Sequence, residues 1–208
     1  MSGRFTPRRI AGALWRRLRW AIAGRPTPPL LLEMVWPEER LSAPPVVSVA
    51  DDYVLRQYRP EDHDAYQALL ASADMAACPL DYWERHLLPG GFFVIEHQAT
   101  GDLVAACFAS HHPAPRHPRG GNFGWLATNP AHAGKGLGRA VSAAVTARLI
   151  AGQYRRIYLE THDFRAPAIR IYLSMGWLPL LYAPEMTDRW QHVCTQIAWP
   201  FTPDAWPR

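Results

Sequence analysis

The sequence predicts an α/β fold, a mixed layer of strands and helices in the order β-α-α-β-β-β-α-β-α-β-β across residues 46–208. Three observations carry that prediction. Short β-branched and aromatic runs alternate with stretches of helical periodicity. Breaks rich in Gly and Pro separate the two kinds of segment. And 208 residues, 49% hydrophobic and 19% charged, suffice for a domain with its own core and no disulfide scaffold.

The chain holds 22 basic and 18 acidic residues, for a net charge of +4. Seven arginines (Arg4, Arg8, Arg9, Arg16, Arg17, Arg19, Arg25) and no acid fall in residues 1–25, so the rest of the chain carries a net −3. That balance argues against a nucleic-acid-binding face on the body, which would need clustered Lys and Arg there. Within residues 8–23, Ile10, Leu14, Leu18 and Ile22 recur at four-residue steps with Arg9, Arg16 and Arg19 opposite, which predicts a basic amphipathic helix. It offers either a peripheral membrane contact or a face for packing on the domain or on a second subunit. No run of 18 apolar residues predicts a membrane span, and arginines interrupt any signal-peptide core. Residues 26–45 read as a Pro-rich linker with a short strand over 30–36, which puts the start of the main domain near residue 45.

From there, residues 46–58 (VVSV, then YVLRQY) are strand-like. Asp62 or Asp64 starts a helix through Tyr66, Leu69 and Leu70, and a second helix covers 81–88 before Pro89-Gly90-Gly91. Residues 92–97 and 103–112 read as a hairpin, with 122–128 as the next strand. A long helix follows with Val141, Ala144, Val145 and Leu149 inward. Residues 156–160 (RIYLE) are a strand, and 166–176 a helix that Gly176 ends with a left-handed cap. Residues 177–182 (WLPLLY) and 194–199 (CTQIAW) read as closing strands.

Between the 122–128 strand and the long helix lies Ala133-Gly134-Lys135-Gly136-Leu137-Gly138-Arg139. Alternate glycines allow a tight turn with outward N–H groups, the helix start adds partial positive charge, and Lys135 and Arg139 add cations. That combination suits a phosphate; a tight connection needing small residues is the other reading. The pattern fits neither the P-loop nor the dinucleotide fingerprint. Cys78, Cys107 and Cys194 are scattered and point to a reducing, cytoplasmic setting. His111, His112 and His117 form no compact ligand set, so no metal is expected.

The stretch Asn129–Arg139 resembles the acetyl-CoA pyrophosphate loop of the GNAT (GCN5-related) N-acetyltransferases, with Gly136 and Gly138 in place and Ala133 where the family favours Gln or Arg. Downstream, Ala168 to Trp177 resembles the family's second signature, with Tyr172 and Gly176 matched, Trp177 for Phe, and Arg165 where Asn is common. The resemblance covers residues 50–180. It implies a mostly antiparallel central sheet flanked by helices and direct acetyl transfer from acetyl-CoA to an amine through a tetrahedral intermediate. It further implies cofactor contacts from Trp125, Leu126, Ala127 and Thr128 along the pantetheine arm, from Ala133, Gly134, Lys135, Gly136, Leu137, Gly138 and Arg139 at the pyrophosphate, and from Arg165. Tyr172 is then the acid for the leaving thiolate, a phenol being matched to that task. The base is sought in Glu160, with Thr161, His162 and Asp163 in the same loop, and in His111 and His112 at the end of a strand that flanks the site. A CoA-binding sensor without catalysis, and a membrane-associated acyltransferase with a longer acyl donor, are the competing functions. The acceptor and the oligomeric state are not legible.

Overall fold

The computed structural model describes residues 30–208, and Leu32–Arg208 form one compact unit. The helix predicted over 8–23 lies outside the described residues. A seven-stranded sheet is built from β1 (Leu32–Val35), β2 (Tyr53–Gln57), β3 (Leu87–His97), β4 (Leu103–His111), β5 (Gly121–Thr128), β6 (Ile157–Thr161) and β7 (Leu178–Pro179). Its order is β2-β3-β4-β5-β6-β1-β7, and every neighbour pair is antiparallel except β5–β6. The helices are α1 (His63–Ser72), α2 (Leu80–Trp83), α3 (Leu137–Ala151), α4 (Ala166–Met175) and α5 (Met186–Gln196). No helix among the described residues is long and apolar enough to cross a membrane.

Alternation along the strands sorts side chains onto two faces. On one, Cys107, Phe123, Leu159 and Met34 join Val141, Val145, Tyr172 and Trp177 of the α3–α4 side in the main core. On the other, Phe108, Ala106 and Phe92 pack with Tyr66, Leu69 and Leu70 of α1.

Four local expectations shift. The strand expected over 30–36 forms as β1, and it sits inside the sheet between β6 and β7, which moves the edge of the folded body from near residue 45 to Leu32. Residues 46–49 form no strand, and Val46 is left 87% exposed. The helix over 81–88 shrinks to Leu80–Trp83, since β3 begins at Leu87. The last expected strand, 194–199, is replaced by α5 and its exit: Met186, Trp190, Val193, Cys194 and Ile197 recur at helical spacing and are all buried. Helical burial of five side chains outweighs the β-preference of Thr, Ile and Trp in a six-residue window.

The Gly176 cap forms as expected, at φ +98°. A Cβ there would collide with the Arg40 guanidinium, whose Nη1 donates to the Met175 carbonyl at 2.7 Å. Arg40 thereby satisfies a carbonyl that the helix end leaves open.

Candidate active site

The sheet opens at one place. The parallel pair β5–β6 is in register at Gly121↔Ile157, Asn122↔Tyr158 and Phe123↔Leu159, and there it stops. β5 continues to Thr128 against β4, while Glu160 and Thr161 continue against β1. A bulge produces the divergence: Phe108 opposes Gly124 and Ala106 opposes Ala127, so Trp125 and Leu126 share one partner. Trp125 takes a left-handed φ of +58°, an unusual conformation for an aromatic residue. Bulges of this kind bend a strand and re-aim its backbone.

Beside the diverging stretch of β5 lies a groove of about 340 Å³. Leu126, Ala127 and Thr128 line one wall, Pro167, Ala168 and Ile171 of α4 the other, and Ala73–Met75 one end. Past its outer end the chain enters a 3-10 turn, where Asn129 Oδ1 accepts from Ala131 N, and then the glycine loop.

Ala133 through Gly136 are exposed. Gly134 (φ +77°) and Gly136 (φ +73°) need the left-handed region, and a Cβ at either would meet nothing within 4 Å. Gly138 serves packing instead: a Cβ there would sit 2.8 Å from Ile171 Cδ1. Among the described residues, none of the six N–H groups from Gly134 to Arg139 donates a hydrogen bond. Six adjacent unspent donors at the start of a 15-residue helix, the first three of them on the exposed residues Gly134, Lys135 and Gly136, make a cradle for an anion of diphosphate size. The Ala133 N–H is not part of it, being donated to Pro130 O at 3.1 Å. Arg139 is exposed but gives Nη1 to Ser174 Oγ at 2.8 Å, which leaves Lys135 as the freer cation.

Tyr172 packs on Phe123, the last residue of β5 paired with β6, its ring edge-on at 5.4 Å and the residue only 5% exposed. Its hydroxyl makes no hydrogen bond among the described residues. Burial, with Cys107 nearby, pushes the phenol well above its usual value, which keeps the proton on it.

Glu160 follows Leu159, the last residue of β6 paired with β5, and points to the sheet face opposite Tyr172's helix. The side chain reaches solvent and has no hydrogen-bonded partner among the described residues. Desolvation by the surrounding protein, and then the Glu33 charge, raise its carboxyl above the ordinary range, against the pull of Arg116 and His117. Glu33 is the residue directly across the strand pair. It is 1% exposed and satisfied by Arg116, whose Nε donates at 2.9 Å, and by His117 Nε2 at 2.9 Å. Burial by itself would raise Glu33, but those hydrogen bonds hold it below the usual carboxylate value. His117 is fixed in turn by Arg156 Nε, 2.9 Å from Nδ1, and stacks on Tyr158 at 4.0 Å.

Two expected site residues are engaged by other groups. His111 pairs with Gly121, three residues before the wedge opens, which at the rise of a strand is roughly 10 Å away. Its Nδ1 meets Tyr154 Oη at 3.0 Å. Arg165 borders the groove, but its guanidinium is spent on the end of α1: Nη1 donates to Ala73 O at 2.9 Å and Nη2 to Asp74 O at 3.0 Å. It ties α4 to the α1–α2 connection rather than presenting free donors. The Glu33 network was missed at the sequence level, though a lone acid inside the apolar run of residues 30–36 was its signal. The Trp125 bulge has no local signature.

The family model described as Acetyltransferase (GNAT) family matches residues 48–177. A mycothiol acetyltransferase of Acidothermus cellulolyticus is 30% identical over 155 residues, which is 64% of this chain and 47% of that protein. The chain thus spans about half the length of that relative. A GCN5-related N-acetyltransferase from Sphaerobacter thermophilus superposes with a TM-score of 0.54 at 17% identity, covering 81% of this chain and 53% of that one. A structure of the NatC complex bound to Gag peptide and CoA matches with a TM-score of 0.51 at 19% identity, covering 60% of this chain and 84% of that one. At these identities the two structures show a common fold.

Proposed function

Because the chain belongs to the GNAT acetyltransferase family, we propose that it is an acetyl-CoA-dependent N-acetyltransferase that moves the acetyl group directly to an amine. The observation that carries this reading is the open row of unspent N–H donors from Gly134 to Arg139, set at the mouth of the wedge between β5 and β6. A diphosphate fits those donors, and the edge of β5 over Leu126–Thr128, free of β6, supplies backbone groups for the amides of a pantetheine arm. Acetyl-CoA supplies the activated thioester.

The protein's own residues divide the remaining work. The wedge holds donor and acceptor together, which replaces a bimolecular encounter by an oriented one. Glu160, raised and exposed, accepts the proton of the acceptor ammonium, directly or through a water. Tyr172, kept protonated by burial, gives its proton to the departing thiolate from the other side of the wedge. No covalent acyl-enzyme is required, since a neutral amine is itself a good nucleophile. His111, tied to Tyr154 at the closed end of the strand pair, has no part in this scheme.

The test is calorimetric titration with CoA, followed by thiol release from acetyl-CoA over a panel of amines. Micromolar binding with amine-dependent release supports the reading. Binding without release from any amine refutes the catalytic part, and no binding refutes the whole.

A further inference from the structure

Among the described residues Glu160 has no hydrogen-bonded partner, and a cation that acts on it electrostatically has an unused edge. Arg116 gives Nε and Nη2 to Glu33, and Nη1 has no partner among the described residues. Its side chain is 45% exposed, and its guanidinium lies flat on the Tyr182 ring, 3.9 Å from the centroid. That stacking and the bidentate pair with a buried carboxylate hold the fork still, which is how an arginine is prepared for a planar anion. Glu33 and Glu160 face each other across β1 and β6, so their Cβ atoms stand about 5 Å apart on one face. The Glu160 carboxylate and the Arg116 guanidinium therefore both adjoin Glu33 and act on each other electrostatically. A ligand with an ammonium and a carboxylate a few ångströms apart, hydrogen-bonded at each end, spans about 8 Å.

From this juxtaposition we propose that the acceptor is an amine bearing a carboxylate a short spacer away, an amino-acid-like zwitterion, with Glu160 on its ammonium and Arg116 on its carboxylate. The proposal rests on the acetyltransferase reading and adds the substrate class to it. A single partly neutralised guanidinium edge matches a planar monoanion better than a phosphate dianion, which calls for several converging donors. The Pro-flanked loop holding Arg116 (residues 113–120) then acts as the specificity wall of the acceptor site.

The experiment compares amino acids with their own amides and with the amines left by removing the carboxyl group, scored by kcat/KM for thiol release. The wild-type protein is expected to favour the acid over its amide by about tenfold or more. Arg116→Gln is expected to bring that ratio towards one, and Arg116→Lys to keep part of it. The ratio cancels any general loss of activity that the substitution causes through Glu33. Acids and amides used equally well by the wild type, or a preference undiminished in Arg116→Gln, would overturn the proposal. So would loss of all turnover in both variants, which would make Arg116 a structural residue. Amines acetylated with no preference sink this inference alone, whereas absence of CoA binding and of any turnover sinks the acetyltransferase reading beneath it.

Discussion

Replacing Gly136 by Asp separates binding from folding. The residue sits at φ +73° just before α3, where any side chain incurs the left-handed penalty, and its Cβ would project into open space without a clash. Asp tolerates that backbone better than most residues, so the stability cost is about 1 kcal/mol. For a protein of this size, that lowers Tm by about 2–4 °C. The effect on the donor should be far larger. The new carboxylate stands among the six N–H groups, competes for them, and repels a diphosphate. A hydrogen bond to a charged group contributes about 1.5–3 kcal/mol, so losing two weakens CoA binding by at least about 3 kcal/mol, or more than 100-fold. Gly101→Asp is the control: it has φ +75° and equally open surroundings, but lies in the β3–β4 turn. Differential scanning calorimetry should give the two variants similar Tm shifts, and calorimetric titration should show CoA affinity lost only in Gly136→Asp. Equal, near-native affinity in both would refute the reasoning about the loop.

Glu160→Gln should lower kcat/KM by about 10²- to 10⁴-fold. A base works in its deprotonated form, so wild-type activity should rise with pH through a midpoint above the ordinary carboxylate range, as the desolvation and the Glu33 charge require, and the variant's profile should lack that limb. Tyr172→Phe should reduce kcat by roughly 10-fold or more with CoA affinity within about twofold of wild type, read by steady-state kinetics and titration. Arg165→Ala leaves the Ala73 and Asp74 carbonyls without their guanidinium partner, so hydrogen exchange should quicken over residues 73–79 while CoA affinity changes little; a large affinity loss with unchanged exchange would restore Arg165 to the cofactor.

The glycine loop was legible in the chain because its chemistry is local. Gly134 and Gly136 adopt conformations that side chains disfavour, and donors from consecutive residues converge without help from elsewhere. Tyr172 was proposed from the resemblance of one short helical segment, and the alternation of strands and helices from β2 through α4 follows periodicities that neighbouring residues carry. The sequence determined, in other words, whatever depends on neighbours within a turn or two.

What depended on partners far along the chain had to wait for the tertiary structure. That residues 32–35 enter the middle of the sheet is decided by hydrogen bonding to β6, some 125 positions away. The same pairing sets Glu33 across from Glu160, where its charge adds to desolvation in raising the Glu160 carboxyl, an effect absent from either strand alone. Arg165 is diverted by two carbonyls at the end of a helix about 90 residues earlier, and His111 is removed from the site by where β5 and β6 part company. Local geometry is written in adjacent residues, whereas a charge or a hydrogen-bond partner acts through space, and only the fold says which residues share that space.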